Sequence, residues 1–500
     1  MKKFAKLILP VLAIAFAASS CNKGYYSMPI AADMNFIRET GEENSQDPQF
    51  ESIVENPFIN VADEPVSTFS VDADGASYAY TRRCLRAGYA KTGYYFDPTA
   101  IRTEEFLNYF TFDYAEPTGD ETVAINAETG PCPWNEEHRL LRLGLKGKSL
   151  ADNDIPPANF IFLIDNSGSM YGEDRIDLVQ SGLCKLVDNL RPDDRVAIIT
   201  YGGHVKMLLE STLAKNANTI KKVIKSISAD GSTPGGAAMK MAYDEAVAHY
   251  SASSNNRIIM CTDGDFNVGV SSTDELVEMV ESYLDKGIYL SIMGFGLGNF
   301  QDSRMENMAA HGNGTYNYID SEEEMMKVFV AERSNFYSVA NDTKCQITFT
   351  DAVQSYRLIG YEHRVMNNED FEDDTKDAGE IGAGQTVTAL YEIIPSENWT
   401  PQSELATFDV RYKMALGEES RPLSLNVTVP LPAANNTTEF DFAAGVATFA
   451  LKLRDSKYAS EATFDMAYEL VQKGIGKVDD PLGLRPELLE LIKIAEKDLK

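Results

Sequence analysis

The stretch FIFLIDNSGSMYGED, residues 160–174, ends an apolar run in Asp165 and follows it with hydroxyls at Ser167 and Ser169. Further on, DGSTPGG carries Thr233 just ahead of a helical segment, and RIIMCTDG ends a second apolar run in Asp263. Asp165, Ser167, Ser169, Thr233 and Asp263 all offer oxygen; none offers sulfur or imidazole. That is the donor set of a hard divalent cation, Mg²⁺ first, with Mn²⁺ or Ca²⁺ as alternatives. The two serine hydroxyls can reach one ion from a single turn and Thr233 from another loop. The aspartates act directly or through water and orient the other ligands. With few carboxylates bound directly, such an ion stays electron-poor and attracts an acidic group from outside, which is the chemistry of binding rather than of hydrolysis.

For these residues to meet, the runs ending in Asp165 and Asp263 must lie in one sheet. In open α/β sheets, ligands bind at the carboxyl ends of strands, near the switch in strand order. From about Ala158 to Ala340 the chain has the texture this requires. FIFLID, RVAIITYG, RIIMCTD and IYLSIMGFG read as buried strands. LVQSGLCKLVDNL, TIKKVIKSI, AAMKMAYDEAVAHY and ELVEMVESYLDKG read as helices between and beyond them. Continuous apolar strands separated by amphipathic helices indicate a doubly wound, mainly parallel α/β sheet covered on both faces.

DxSxS after a buried strand, a later GST loop and a strand-ending TDG resemble the metal-ion-dependent adhesion site of von Willebrand factor A domains. The resemblance covers about Ala158 to Ala340. It implies a Rossmann-like fold and metal ligation by Asp165, Ser167, Ser169, Thr233 and Asp263. It also implies a protein partner that offers an acidic residue to the ion. STFSVDADGASYAYTRRCL, AIRTEEFLNYFTFDY and HRLLRLGLKGK before this region, and LGLRPELLELIKIAE after it, are similar to the flanks of a group of bacterial A-domain lipoproteins.

The N-terminus MKKFAKLILPVLAIAFAASSC has a basic start, an apolar stretch too short to span a bilayer, and small residues before Cys21. This resembles a lipoprotein signal, so residues 1–20 are expected to be removed and Cys21 to carry lipid. The protein is then held in a membrane of the bacterial cell envelope by lipid rather than by a helix. Residues 21–65, rich in Asn, Glu, Ser and Pro, read as a tether. Residues 66–118 read as an α+β flank, with a helix cap and turn at VDADGAS and an amphipathic segment at IRTEEFLNYF. Residues 119–157 alternate and read as strands. They can join a β-sandwich-like domain over 341–432, where CQITFTDAV, YRLIGYE, TVTALYEIIP, LATFDVRYKMA and LSLNVTVPL alternate in the same way. Residues 433–500 read as helical. The fold class expected is thus an α/β unit inserted between or beside β-sandwich elements, with a C-terminal helical segment.

The formal net charge of −31 over 500 residues argues against nucleic acid, which needs a basic footprint. Cys84, Cys132, Cys184, Cys261 and Cys345 are widely spaced, without a CxxC pair, and predict neither a disulfide framework nor a zinc site. His204, His249 and His311 are scattered and read as structural or surface residues. The carboxylate runs at Glu322–Glu324 and Glu369–Asp374 read as solvated faces. Strand-end aspartates with Mg²⁺ also occur in phosphoryl-transfer enzymes on related folds. Those need a second acid after the nucleophile, and here Asn166 and Ser167 follow Asp165. No P-loop, GxSxG elbow or HExxH is present. The expectation is a non-enzymatic adhesion or scaffold protein. A Mg²⁺-dependent phosphoryl-transfer enzyme and an A domain with a purely structural metal are the alternatives.

Overall fold

The computed structural model describes residues 53–92, 96–98, 101–151, 153–231, 236–264, 273–297, 302–415, 417–429, 436–475, 478 and 480–499. The expected signal, Cys21 and most of the tether lie outside the described residues, and so does Thr233.

The α/β unit is a six-stranded sheet. Its order is Tyr316–Ile319, Ile288–Phe295, Asn255–Thr262, Ala158–Asp165, Arg195–Tyr201 and Lys206–Leu213. Every pairing is parallel except the last, in which Lys206–Leu213 runs antiparallel at the edge. That edge strand was not expected from the sequence, because KMLLESTL is only half-buried and lacks a continuous apolar run. Ala158–Asp165 is buried along its whole length. Phe160, Phe162 and Ile164 enter the core with Leu183 and Leu186 of the helix Ile176–Asn189. Ile161 and Leu163 enter the opposite core with Ala238, Ala242 and Ala246 of the helix Gly236–Ala248. Alternate side chains of a strand point to opposite faces, so a strand covered on both is apolar on both, here from Phe160 to Ile164, while Asn159 is satisfied by donating to the His249 carbonyl at 3.2 Å.

Two antiparallel sheets make the sandwich. One runs Ile59–Asn60, Val353–Ile359, Thr386–Pro395, Asn135–Gly147, Val123–Cys132. The other runs Val365–Met366, Val66–Ser70, Ser338–Phe349, Glu404–Lys413, Arg421–Thr428, with Gly379–Gly382 also paired to Ser338–Phe349. Leu141, Leu143, Leu145, Tyr391 and Ile393 share one buried core with Phe69, Ile347, Phe408 and Val410. The sandwich therefore takes strands from both sides of the α/β unit in the chain. The pairing of Asn135–Gly147 with Thr386–Pro395 spans that insertion.

The helices Thr438–Leu453, Phe464–Gly474 and Leu484–Asp498 complete the fold. Phe442 and Phe449 pack on Phe110 and Phe106 of the N-terminal flank, and so join the two ends of the described chain in one core.

Three expectations need correction. In IRTEEFLNYF, the helix Thr103–Asn108 is not amphipathic, since Thr103, Glu104, Glu105, Phe106 and Leu107 are all buried. A six-residue helix wedged between the sandwich, the α/β unit and the C-terminal helices has no solvent face, and Glu105 is held there by Arg102 at 2.9 Å. In VDADGAS, Asp72 accepts the Asp74 N–H at 3.0 Å as an Asx turn, but no side chain caps the helix Ala76–Arg86. Asp72 instead pairs with Arg364 of the sandwich at 3.0 Å. In the run Glu322–Glu324, Glu324 is buried, because Arg82 reaches it at 2.7 Å from the flanking helix.

Candidate metal centre

Asp165 ends the strand at which the sheet order reverses, since chain-order neighbours lie to one side of it and later strands to the other. Asp263 directly follows the adjacent parallel strand Asn255–Thr262, whose Cys261 pairs with Ile164. Both carboxylates are thus carried to one end of the sheet at the switch point, where open α/β folds bind ligands.

The turn after Asp165 is held by its own polar groups. The Ser167 N–H donates to Asp165 Oδ1 at 2.8 Å, and the Thr262 hydroxyl approaches Asp165 Oδ2 at 3.4 Å. The Ser167 and Ser169 hydroxyls lie 2.9 Å apart. Gly168–Met170 is a short 3₁₀ turn that turns both hydroxyls to one side. The loop leading towards Thr233 is pinned to the same turn: the Asp230 N–H donates to the Asn166 carbonyl at 2.7 Å, and the Gly168 N–H to the Gly231 carbonyl at 2.9 Å. Gly231 has φ +87°, and a Cβ there would lie 2.5 Å from the Gly203 Cα. Only glycine allows this approach.

Asp165 is fully buried and Asp263 is 1% exposed. Burial pushes the Asp165 carboxyl up to about 7; the Asp263 charge acts in the same direction, and hydrogen bonds from Ser167 and Thr262 oppose it. Two buried carboxylates with this much unfavourable charge suit a cation between them. Among the described residues no group of three or more His, Cys, Asp or Glu side chains is placed to hold a metal ion. What this turn offers is two carboxylates and two hydroxyls. That set fits Mg²⁺ or another hard cation and does not fit zinc.

The other candidates fall elsewhere. His204 is exposed, His249 pairs with Glu245 and His311 with Glu281 at the surface, far apart in the chain. Cys84, Cys132, Cys261 and Cys345 are buried and Cys184 is half-buried. Among the described residues no helix is long and apolar enough to cross a membrane.

Two residues beside the turn were not singled out from sequence. Tyr171, next after the short turn, is 81% exposed. Arg175 places its Nε 3.8 Å from Asp263 Oδ2. The charged GEDR that follows the serines was the available signal, but nothing in sequence says that an arginine there turns back toward a residue on another strand.

The chain matches known families along most of its length. Residues 159–332 match the von Willebrand factor type A domain, and residues 44–142 match a model described as von Willebrand factor. Residues 334–497 match the C-terminal region described for Uncharacterized protein YfbK. The protein of that name from Escherichia coli (strain K12) is 36% identical over 478 residues, covering 90% of this chain and 81% of that one. Inter-alpha-trypsin inhibitor heavy chain H3 of Bos taurus is 29% identical over 194 residues, 36% of this chain and 21% of its own length. Among solved structures, a von Willebrand factor type A protein from Catenulispora acidiphila aligns with TM-score 0.43 at 14% identity, covering 74% of this chain and 89% of that one. BatB from Bacteroides thetaiotaomicron aligns with TM-score 0.31 at 22% identity, covering 36% of this chain and 98% of its own. The A domain and both flanks are shared with the Escherichia coli relative over nearly the full chain, and the protein belongs to the YfbK family of von Willebrand factor A-domain proteins.

Proposed function

We propose that this protein is an adhesion or scaffold component of the bacterial cell envelope. In this reading Asp165, Ser167, Ser169, Thr233 and Asp263 hold a divalent cation, Mg²⁺ by preference, and Cys21 carries the lipid anchor. A cation held there supplies a Lewis-acidic position for a carboxylate oxygen of a protein partner. The observation that carries the reading is the pair of buried carboxylates, Asp165 and Asp263, at the switch point of the sheet beside two adjoining hydroxyls. Asp165 orients the turn by accepting the Ser167 N–H, and the Asp230–Asn166 bond holds the neighbouring loop against it. A-type domains commonly serve protein–protein interaction, which agrees with a site of this chemistry.

The deciding experiment is crosslinking in intact cells followed by mass spectrometry, with wild type and Asp165→Ala. Partners captured by wild type and lost in the variant support the reading. An identical partner set from both proteins removes the metal from partner binding. A Mg²⁺ response without any such partner leaves the ion a structural one. Cys21→Ser should yield an unlipidated precursor released from lipid anchorage; unchanged mass and membrane association would refute that part.

A further inference from the structure

Beside Asp263 stands a positive charge. Arg175 precedes the helix Ile176–Asn189, and its guanidinium turns back under the metal site. Its Nε is buried, has no hydrogen-bond partner among the described residues, and faces Asp263 Oδ2 at 3.8 Å. Its other nitrogens are tied down: Nη1 donates to Asp174 Oδ1 at 3.2 Å, and Nη2 to the Leu297 carbonyl at 2.6 Å. The group lies across Gly296, where a Cβ would come within 2.3 Å of Nε. Gly296 has φ +77°, so a side chain there would be strained as well as in the way.

The anchorage extends outside the A domain. Asp174 Oδ2 receives Arg83 of the flanking helix Ala76–Arg86. Arg83 also donates to the Tyr318 hydroxyl at 3.0 Å, and that hydroxyl donates to the Gly296 carbonyl at 2.8 Å. A continuous path of charge and hydrogen bonds runs from the flanking helix through Arg83, Asp174 and Arg175 to Asp263.

We infer that Arg175 is a resident counter-cation of the site: it competes with the divalent ion for Asp263 and so sets the metal affinity, and Arg83 holds it there through Asp174. The inference rests on the metal-site reading above. An arginine stays charged at any working pH. Where two buried carboxylates repel each other, a guanidinium a few ångströms away offsets that repulsion without metal and opposes a doubly charged ion on arrival. Arg175 is thus a positioning residue, with the flanking helix coupled to the metal through it.

The test uses the full-length chain, with Mg²⁺ titrated by calorimetry and melting followed in chelator and in saturating Mg²⁺. Arg175→Gln should bind Mg²⁺ about tenfold more tightly than wild type, as removal of one nearby like charge predicts. It should also melt below wild type in chelator, with the gap closing in Mg²⁺. Arg175→Lys, which keeps the charge, should hold the wild-type affinity; this variant and Arg175→Met read the same contrast if the glutamine protein folds poorly. Unchanged or weaker Mg²⁺ binding by Arg175→Gln would overturn the inference. So would a melting gap equal in chelator and Mg²⁺, which marks a packing role alone. Binding by Arg175→Gln where wild type shows none would support it. Wild-type binding that survives Asp165→Ala would instead overturn the metal-site reading, and the inference with it.

Discussion

Asp165 and Asp263 close two adjacent parallel strands, with no more than 1% of either residue exposed. The two carboxylates repel each other, and Arg175 beside Asp263 offsets only part of that repulsion until a divalent cation joins them. Mg²⁺ at about a hundred times its dissociation constant should raise stability by about 2.7 kcal/mol. Asp165→Ala should abolish most of that response, while Asp72→Ala, in a loop paired to Arg364, should keep it. Thermal unfolding with chelator and with added Mg²⁺ reads the difference. Equal responses from wild type and Asp165→Ala would put the metal elsewhere.

Arg82 ties the flanking helix to the A domain and to the C-terminal helix. It reaches Glu324 at 2.7 Å and Glu487 at 3.1 Å, pairs with Asp320, and donates to the Tyr109 hydroxyl at 2.6 Å. Burial would raise the Glu324 carboxyl, but Lys327 and Arg82 outweigh it and hold the group below the usual range. At Asp320, burial prevails over Arg82 and the group is raised. Arg82→Met takes the arginine from buried Asp320 and leaves Glu324 to Lys327 alone, and should cost about 3–5 kcal/mol. The denaturant midpoint of unfolding measures it; a loss under about 1 kcal/mol would show that the cluster relaxes into solvent.

Glu104 is buried, and desolvation, followed by the charges of Glu362, Asp72 and Glu105, holds its carboxyl well above the ordinary value. A raised carboxyl gives its full stabilisation below the unfolded value, near 4.3, and loses it as pH rises towards the folded one. Glu104→Gln removes that loss. The variant should therefore gain on wild type with rising pH, by about 1.4 kcal/mol per unit while the folded carboxyl keeps its proton and the unfolded one does not. Urea unfolding at about pH 5 and about pH 8 gives the comparison, and a gap that is constant or narrows would contradict it.

Tyr171 stands at the rim of the turn after Asp165, 81% exposed. Exposed tyrosines beside a binding point are frequent anchors for partners. Tyr171→Ala should change stability by less than about 0.5 kcal/mol and leave the Mg²⁺ response intact. It should reduce the yield of Asp165-dependent crosslinks. Full crosslinking by the variant would show that the partner does not lie over this side of the rim.

Much of this protein is written locally. Ala158–Asp165 had to be a strand covered on both faces because every residue from Phe160 to Ile164 is apolar, and period-two alternation set Phe160 and Ile161 into opposite cores. The oxygen donors after it could be named as a cation's ligands from their types alone. The tertiary structure decided what depends on distant partners. Glu324 reads as solvated because a charged side chain in a short polar run usually is, and Glu104 reads as part of an amphipathic segment. They are buried because Arg82, far earlier in the chain, and a helix wedged between three layers take up the space water would have filled. Arg175 was silent for the same reason: its role exists only where the glycine at 296 and the acid at 263 arrive from other strands. Spacing along the chain carries hydrophobic period and ligand type, whereas the solvation of a charge is set by whichever residues the fold brings against it.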